Sequence, residues 1–169
     1  KKDKLGKIRQ RLLKIRAKKV ILATGALERP LIFNNNDRPG IMLSSAVKKY
    51  ADFYGVVSGK KNIFFTNNDS AYESAFCLHN KGIKVEAIID IRESSNSKIV
   101  KAVEEAGIKI YWSSTIVDTT GYKRLNSVSV MKLSNDGLSV TGNKMNISCD
   151  CLGVAGGWTP AVHLFTQSG

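Results

Sequence analysis

The residues with the most chemistry to offer are Thr66-Asn67-Asn68-Asp69-Ser70-Ala71-Tyr72-Glu73, which follow the apolar run Asn62-Ile63-Phe64-Phe65 and open a helical pattern. A strand running into a helix in this way is where a βαβ unit receives the pyrophosphate of a dinucleotide, usually through G-x-G-x-x-G. Glycines let the backbone approach the phosphates, and the helix N-terminus supplies amide donors and the positive end of a dipole. Counted from the strand, Asn67, Asp69 and Tyr72 stand at the three glycine positions. Asp90, at the end of the next apolar run, stands near the place of the carboxylate that takes the ribose hydroxyls. Asp69 brings a negative charge to the pyrophosphate position, and Tyr72 brings bulk where helix and strand pack closely. Ser70-Ala71-Tyr72-Glu73 also fits S-x-x-E, a capping box that satisfies the free amides from within the chain. The expectation is a folded unit that holds no nucleotide phosphate, a degenerate site of Asn67, Asp69, Tyr72 and Asp90.

The elements that position these residues alternate in type. Residues 62–66 read as a buried strand, 70–81 as a helix stopped by Gly82 and 84–90 as a strand. A helix over 97–106 stopped by Gly107 and a strand over 108–112 follow. A βαβαβ order with connections this short implies a parallel sheet with right-handed crossovers. The period then falls to two, and residues 114–119, 125–133 and 138–148 read as an antiparallel meander. Cys151-Leu152-Gly153-Val154-Ala155 is a last strand, ending in Gly156-Gly157-Trp158-Thr159-Pro160. Upstream, residues 7–15 and 19–23 read as two strands and 26–43 as an irregular connector. A helix over about 44–54 follows, with Ala46, Val47, Tyr50 and Phe53 on one face and Gly55 placed to end it. Tyr50, Phe53 and Tyr54 are read as core or interface residues.

Charge and cysteine usage narrow the function classes. The 169 residues carry a formal net charge of +12, which raises a polyanion as partner. Ten Lys/Arg against Asp3 in residues 1–19 supply +9 of it, and the other 150 residues only +3. The basic run lacks any aromatic residue, so the stacking pattern of a nucleic-acid-binding module is missing. No run of 18 apolar residues points to a membrane span. Cys77, Cys149 and Cys151 lack CxxC spacing, and Cys149 and Cys151 alternate as if on one strand and one face. Unpaired thiols in a reducing cytoplasm, with no metal site, is the reading that follows. No Ser/His/Asp, Cys/His or paired-carboxylate set assembles, so no catalytic residue is assigned. A chain that begins at Lys and stops at Gly169 is expected to be a piece of something longer.

Two segments suggest a family. Val20-Ile21-Leu22-Ala23-Thr24-Gly25-Ala26 resembles the strand end that closes the first dinucleotide domain in two-dinucleotide-binding flavoproteins such as the disulfide reductases. Leu152 to Pro160 resembles the second such strand, where the chain returns after an inserted domain. More narrowly, Ala23-Thr24-Gly25-Ala26-Leu27-Glu28-Arg29-Pro30, Asn36-Asp37-Arg38-Pro39-Gly40-Ile41-Met42, Thr66 to Tyr72 and Gly156-Gly157-Trp158-Thr159-Pro160-Ala161-Val162-His163-Leu164-Phe165 are similar to the alpha subunits of heterotetrameric sarcosine oxidases, over about 16–169.

That resemblance implies an α/β fold: a Rossmann-like βαβαβ parallel sheet with an antiparallel β-meander, the NADH-type inserted domain of the two-dinucleotide-binding flavoprotein fold, with flanking pieces of the first dinucleotide domain. The implied division is 1–59 (end of the first domain and connector), 60–150 (inserted domain) and 151–169 (return strand). It implies oxidative demethylation of sarcosine to glycine, with oxygen as acceptor and the one-carbon unit passed to tetrahydrofolate. NAD would be bound in the alpha subunit, lined here by Thr24, Gly25, Gly156 and Gly157. FAD, FMN and tetrahydrofolate would be held elsewhere in a complex with beta, gamma and delta subunits. The alternatives are a related amine or opine oxidase, a pyridine-nucleotide reductase with a working NADH site, and, from another class, a basic nucleic-acid-binding module.

Overall fold

A computed structural model describes residues 6, 8 and 10–167, arranged as two compact units. The larger spans Ala26–Thr159, and the smaller comprises the described residues of Lys1–Gly25 and Pro160–Gly169.

The larger unit begins with β1 (Ala26–Glu28), β2 (Ile41–Leu43) and α1 (Ser44–Phe53). Next come β3 (Asn62–Thr66), α2 (Ser70–Asn80), β4 (Val85–Asp90), α3 (Lys98–Glu105) and β5 (Ile110–Tyr111). The meander is β6 (Ser114–Thr120), β7 (Ser127–Leu133) and β8 (Val140–Ser148), and β9 (Cys151–Ala155) returns to the first sheet. β10 (Trp158–Pro160) pairs with β1 in a two-stranded sheet. The main sheet has the order β2-β9-β3-β4-β5 with every pairing parallel, and β6-β7-β8 is antiparallel. The α/β class, the parallel sheet and the meander all agree with the sequence reading.

Alternation along β3 shows how the layers are built. Phe64 points into a core with Val47 of α1, Ala75 and Leu78 of α2, and Val100 and Val103 of α3. Ile63 and Phe65 point the other way, into a core with Ile116, Val128 and Val130 of the meander. A sheet covered on both faces explains why all five residues of β3 and all five of β9 are buried. Helix ends follow the glycines: Gly55, Gly82 and Gly107 have φ of +64°, +72° and +75°, a region that residues with a Cβ adopt at a cost. Ser97 caps α3 by accepting from the Val100 amide at 3.4 Å.

Several expectations need correction. Residues 10–25 contain no strand; the part of the expected first strand at residues 7 and 9 lies outside the described residues. A strand requires a regular ladder, and alternation alone does not create one. Leu12, Ile15 and Ile21 are accordingly exposed. On α1 the buried face is Ser44, Val47 and Ala51, while Tyr50, Phe53 and Tyr54 are exposed, so those aromatics are not core. The capping box does not form either. The residue before α2 is Asp69, in helical geometry, and Asn68 Oδ1 accepts from both the Ser70 amide (3.0 Å) and the Ser70 hydroxyl (2.5 Å). Glu73 instead faces Lys48 at 3.6 Å. Cys149 and Cys151 do not share a face: Asp150 separates β8 from β9, and the two thiols lie in opposite cores. The main sheet draws on strands from either side of 59/60 and 150/151. β2 and β9 belong to it, and β9, read as a strand of another domain, pairs with β3 along its whole length. Among the described residues, no helix is long and apolar enough to cross a membrane.

Candidate functional site

In an open parallel sheet, ligands enter at the carboxyl ends of the strands, where the strand order reverses. Here that point lies between β3, from which the chain proceeds through β4 to β5, and β9, which pairs on the other side. Thr66 and Ala155 are the paired ends of the two strands. The residues beyond them decide whether the crevice is open.

It is bridged by asparagines. The Asn67 side-chain amide donates to the Gly156 carbonyl at 3.2 Å, and the Asn68 side-chain amide donates to the Ala155 carbonyl at 3.3 Å. The Asn67 backbone amide reaches the same Ala155 carbonyl at 3.4 Å. Asn68 also donates to Asn67 Oδ1 at 2.8 Å, and the Thr66 hydroxyl donates to the Asn68 carbonyl at 2.8 Å. The loop that would wrap a pyrophosphate is thus tied to the end of β9 by its own side chains.

The other half of the site is closed by charge. Asp90, fully buried at the end of β4, accepts from the Tyr72 hydroxyl at 2.7 Å and from Arg92 Nη2 at 2.7 Å. Arg92 Nε lies 3.1 and 3.2 Å from its two oxygens, and the Arg92 backbone amide donates to Oδ1 at 2.9 Å. The same guanidinium extends Nη1 to Asp69 Oδ1 at 2.8 Å, and the Ser95 hydroxyl donates there at 3.3 Å. The Tyr72 ring is fully buried, stacked on Trp112 with centroids 6.1 Å apart, and the guanidinium lies 5.9 Å from its centre.

The acidities follow from this packing. Burial acts to raise the Asp69 carboxyl, but hydrogen bonds from Arg92, Ser97 and Ser95 and the Arg92 charge outweigh it and hold the group below its ordinary 3.8. Burial, then the hydrogen bond to Asp90 and its charge, push the Tyr72 hydroxyl far above 10 and keep it a donor. Arg92 is raised in turn, foremost by its hydrogen bond to Asp90.

The sequence-derived candidates therefore divide. Asp69, Tyr72 and Asp90 meet around Arg92, while Asn67 is tied to the Gly156 carbonyl at the end of β9. Arg92, which joins two of them, escaped the sequence reading, as did Asn68 and Trp112. The pattern Asp90-Ile91-Arg92 was the available signal, since an arginine two residues past a strand-end acid can turn back on it. Thr24 donates to the Ala161 carbonyl at 2.5 Å, and Gly25, at φ +71°, has open space where a side chain would stand. Gly157, at φ +120°, is equally open. Gly156 is not: a Cβ there would lie 2.8–2.9 Å from the backbone of Arg29, Pro30 and Leu31, and its amide donates to the Arg29 carbonyl. That glycine serves internal packing.

The chain matches no protein-family model. Among curated proteins, it is 43% identical over 164 residues to the sarcosine oxidase subunit alpha of Corynebacterium sp. (strain P-1), covering 96% of this chain and 16% of that protein. The subunit alpha of strain U-96 is 38% identical over 162 residues, covering 96% and 17%. That of Rhizobium meliloti (strain 1021) is 36% identical over 161 residues, covering 95% and 15%. The chain therefore spans about one sixth of the length of these relatives. In solved structures, the T. acidophilum thioredoxin reductase superposes with a TM-score of 0.64 at 18% identity, covering 86% of this chain and 46% of that one. An FAD-dependent pyridine nucleotide-disulphide oxidoreductase from Desulfovibrio vulgaris gives 0.62 at 14% identity, covering 92% and 39%. Likeness at such identity speaks for the fold, which is that of FAD/NAD(P)-dependent oxidoreductases. Over almost its whole length, this chain is a relative of one segment of the sarcosine oxidase alpha subunit.

Proposed function

We propose that this chain is part of the alpha subunit of a sarcosine oxidase complex and has a structural role in it. The parent would oxidatively demethylate sarcosine to glycine, with oxygen as acceptor and the one-carbon unit passed to tetrahydrofolate. The observation that carries this is the 43% identity over 164 residues, 96% of this chain. The partners on this reading are beta, gamma and delta subunits, with FAD, FMN and tetrahydrofolate bound outside this segment and the whole complex cytoplasmic. No catalytic residue is assigned here.

The cofactor proposed for the alpha subunit is NAD, and the residues differ in how well they suit it. Gly25 and Gly157 have open space where a side chain would stand, although their carbonyls accept from the Ala161 and Arg29 amides. Thr24 and Gly156, the other two residues assigned to lining NAD, are likewise engaged with the chain, and Gly156 also lacks room for a side chain. The unit around Asn67, Asp69, Tyr72 and Asp90 does not fit a dinucleotide, because both carboxylates, the Arg92 cation and the Ser70, Tyr72 and Glu73 amides already have partners. That weighs against a pyridine-nucleotide reductase, whose NADH would have to bind there. On domain organisation, we propose that the inserted domain takes in β2 and β9 together with β3 to β8.

The test is to co-express the complete parent protein with its gene neighbours and measure peroxide release with sarcosine and other N-methyl amines. Sarcosine-dependent peroxide is expected; a complex that ignores sarcosine and oxidises NADH would overturn the reading.

A further inference from the structure

We propose that Asp69 is a built-in anion, standing in for the phosphate that a dinucleotide would bring, with Arg92 as its fixed counter-ion. A ligand entering a βαβ unit of this shape needs helix amides, room beside the backbone and, for its charge, a cation or dipole end. The cation and three of the helix-end amides are already engaged from within. The Ser70 amide is held by Asn68 Oδ1, and the amides of Tyr72 and Glu73 by the Asp69 carbonyl at 3.1 and 3.4 Å. The Asp69 carboxylate sits on Arg92 Nη1 at 2.8 Å and on the Ser95 hydroxyl at 3.3 Å, contacts of the kind a phosphate oxygen makes. On its other edge, Arg92 is fixed by Asp90, which is itself held by Tyr72.

One guanidinium thus spans from the end of β4 to the start of α2, the two places a dinucleotide would join. The unit has the closure that a bound ligand gives, without the ligand. The consequence is specific. Loss of the Asp69 carboxylate leaves Arg92 with one carboxylate in place of two, a vacant Nη1 donor beside Ser95, and an exogenous anion can take the position. This is independent of the parent's reaction, so sarcosine oxidation does not bear on it.

The experiment follows thermal unfolding of the 169-residue chain and its Asp69→Ala variant against inorganic pyrophosphate at fixed ionic strength. The wild type is expected to show no midpoint shift up to about 10 mM, whereas Asp69→Ala shifts upward, with pyrophosphate affinity at least tenfold tighter and Trp112 emission changing over the same range. Asp69→Ala/Arg92→Met is expected to lose the response. Should Asp69→Ala not fold, Asp69→Asn, which keeps a side chain on Arg92 and removes the charge, gives the same comparison. Equal responses in wild type and variant, a folded variant that ignores pyrophosphate, or a response that survives loss of Arg92 would each overturn the proposal.

Discussion

Arg92→Met probes the closed site most severely. The substitution keeps much of the side-chain length and removes the charge facing a carboxylate that has no solvent exposure. Removing one partner of a buried ion pair costs about 3–5 kcal/mol, because the remaining charge is left in a poorly polarisable interior. Two features place this case at the low end. The Arg92 side chain is itself 28% exposed, so water can approach once it is gone. The Tyr72 hydroxyl also continues to donate to Asp90. About 3 kcal/mol is the working figure, which for a chain of this size lowers the unfolding midpoint by roughly 6–12 °C. Urea unfolding followed by tryptophan emission measures it directly, since Trp112 lies on the Tyr72 ring that this network holds. Adding Asp90→Asn removes the stranded charge and is expected to recover more than half of the loss. A cost below about 1 kcal/mol for Arg92→Met, or a further loss on adding Asp90→Asn, would refute the claim that Arg92 neutralises this carboxylate.

Two further outcomes follow from packing and acidity. Gly156→Ala should cost about 1–3 kcal/mol, because the new methyl meets the backbone of Arg29, Pro30 and Leu31 and not a movable side chain; chemical denaturation of a folded variant at wild-type stability would contradict it. Burial pushes the thiols of Cys149 and Cys151 from 9.0 up to about 12, with nearby negative charge adding to it. An acid whose folded value is raised stabilises the fold fully below its unfolded value, so stability is expected to fall as pH rises from 9 toward 12. The slope is on the order of 1 kcal/mol per pH unit for each thiol. Urea midpoints from pH 8 to 10.5 check this. Cys151→Ala should flatten the decline, and a flat wild-type profile would sink it.

What could be read from the sequence, and what could not, has physical causes. The run from β3 to β5 was legible because apolar alternation, helical spacing and the positive-φ glycines Gly82 and Gly107 all agree there. Residues 10–25 were misread because alternation shows what a strand would bury, not whether a regular ladder forms beside it. The apolar stripe on α1 was ambiguous for a related reason: Val47 and Ala51 compete with Tyr50, Phe53 and Tyr54 for the buried face, and the neighbouring sheet decides. In the candidate site, the charge of Asp69 and the bulk of Tyr72 were visible from residue type alone. How the site is closed was not. It depends on Arg92 folding back from β4 and on Asn68 taking the cap from Ser70, and both are side-chain conformations that spacing does not encode.

The most direct measurement of the central claim, that this dinucleotide-shaped unit is closed by its own side chains, is a calorimetric titration of NADH into the 169-residue chain. No saturable heat is predicted at NADH concentrations up to about 1 mM. Stoichiometric binding in the micromolar range, accompanied by a change in Trp112 emission, would contradict it.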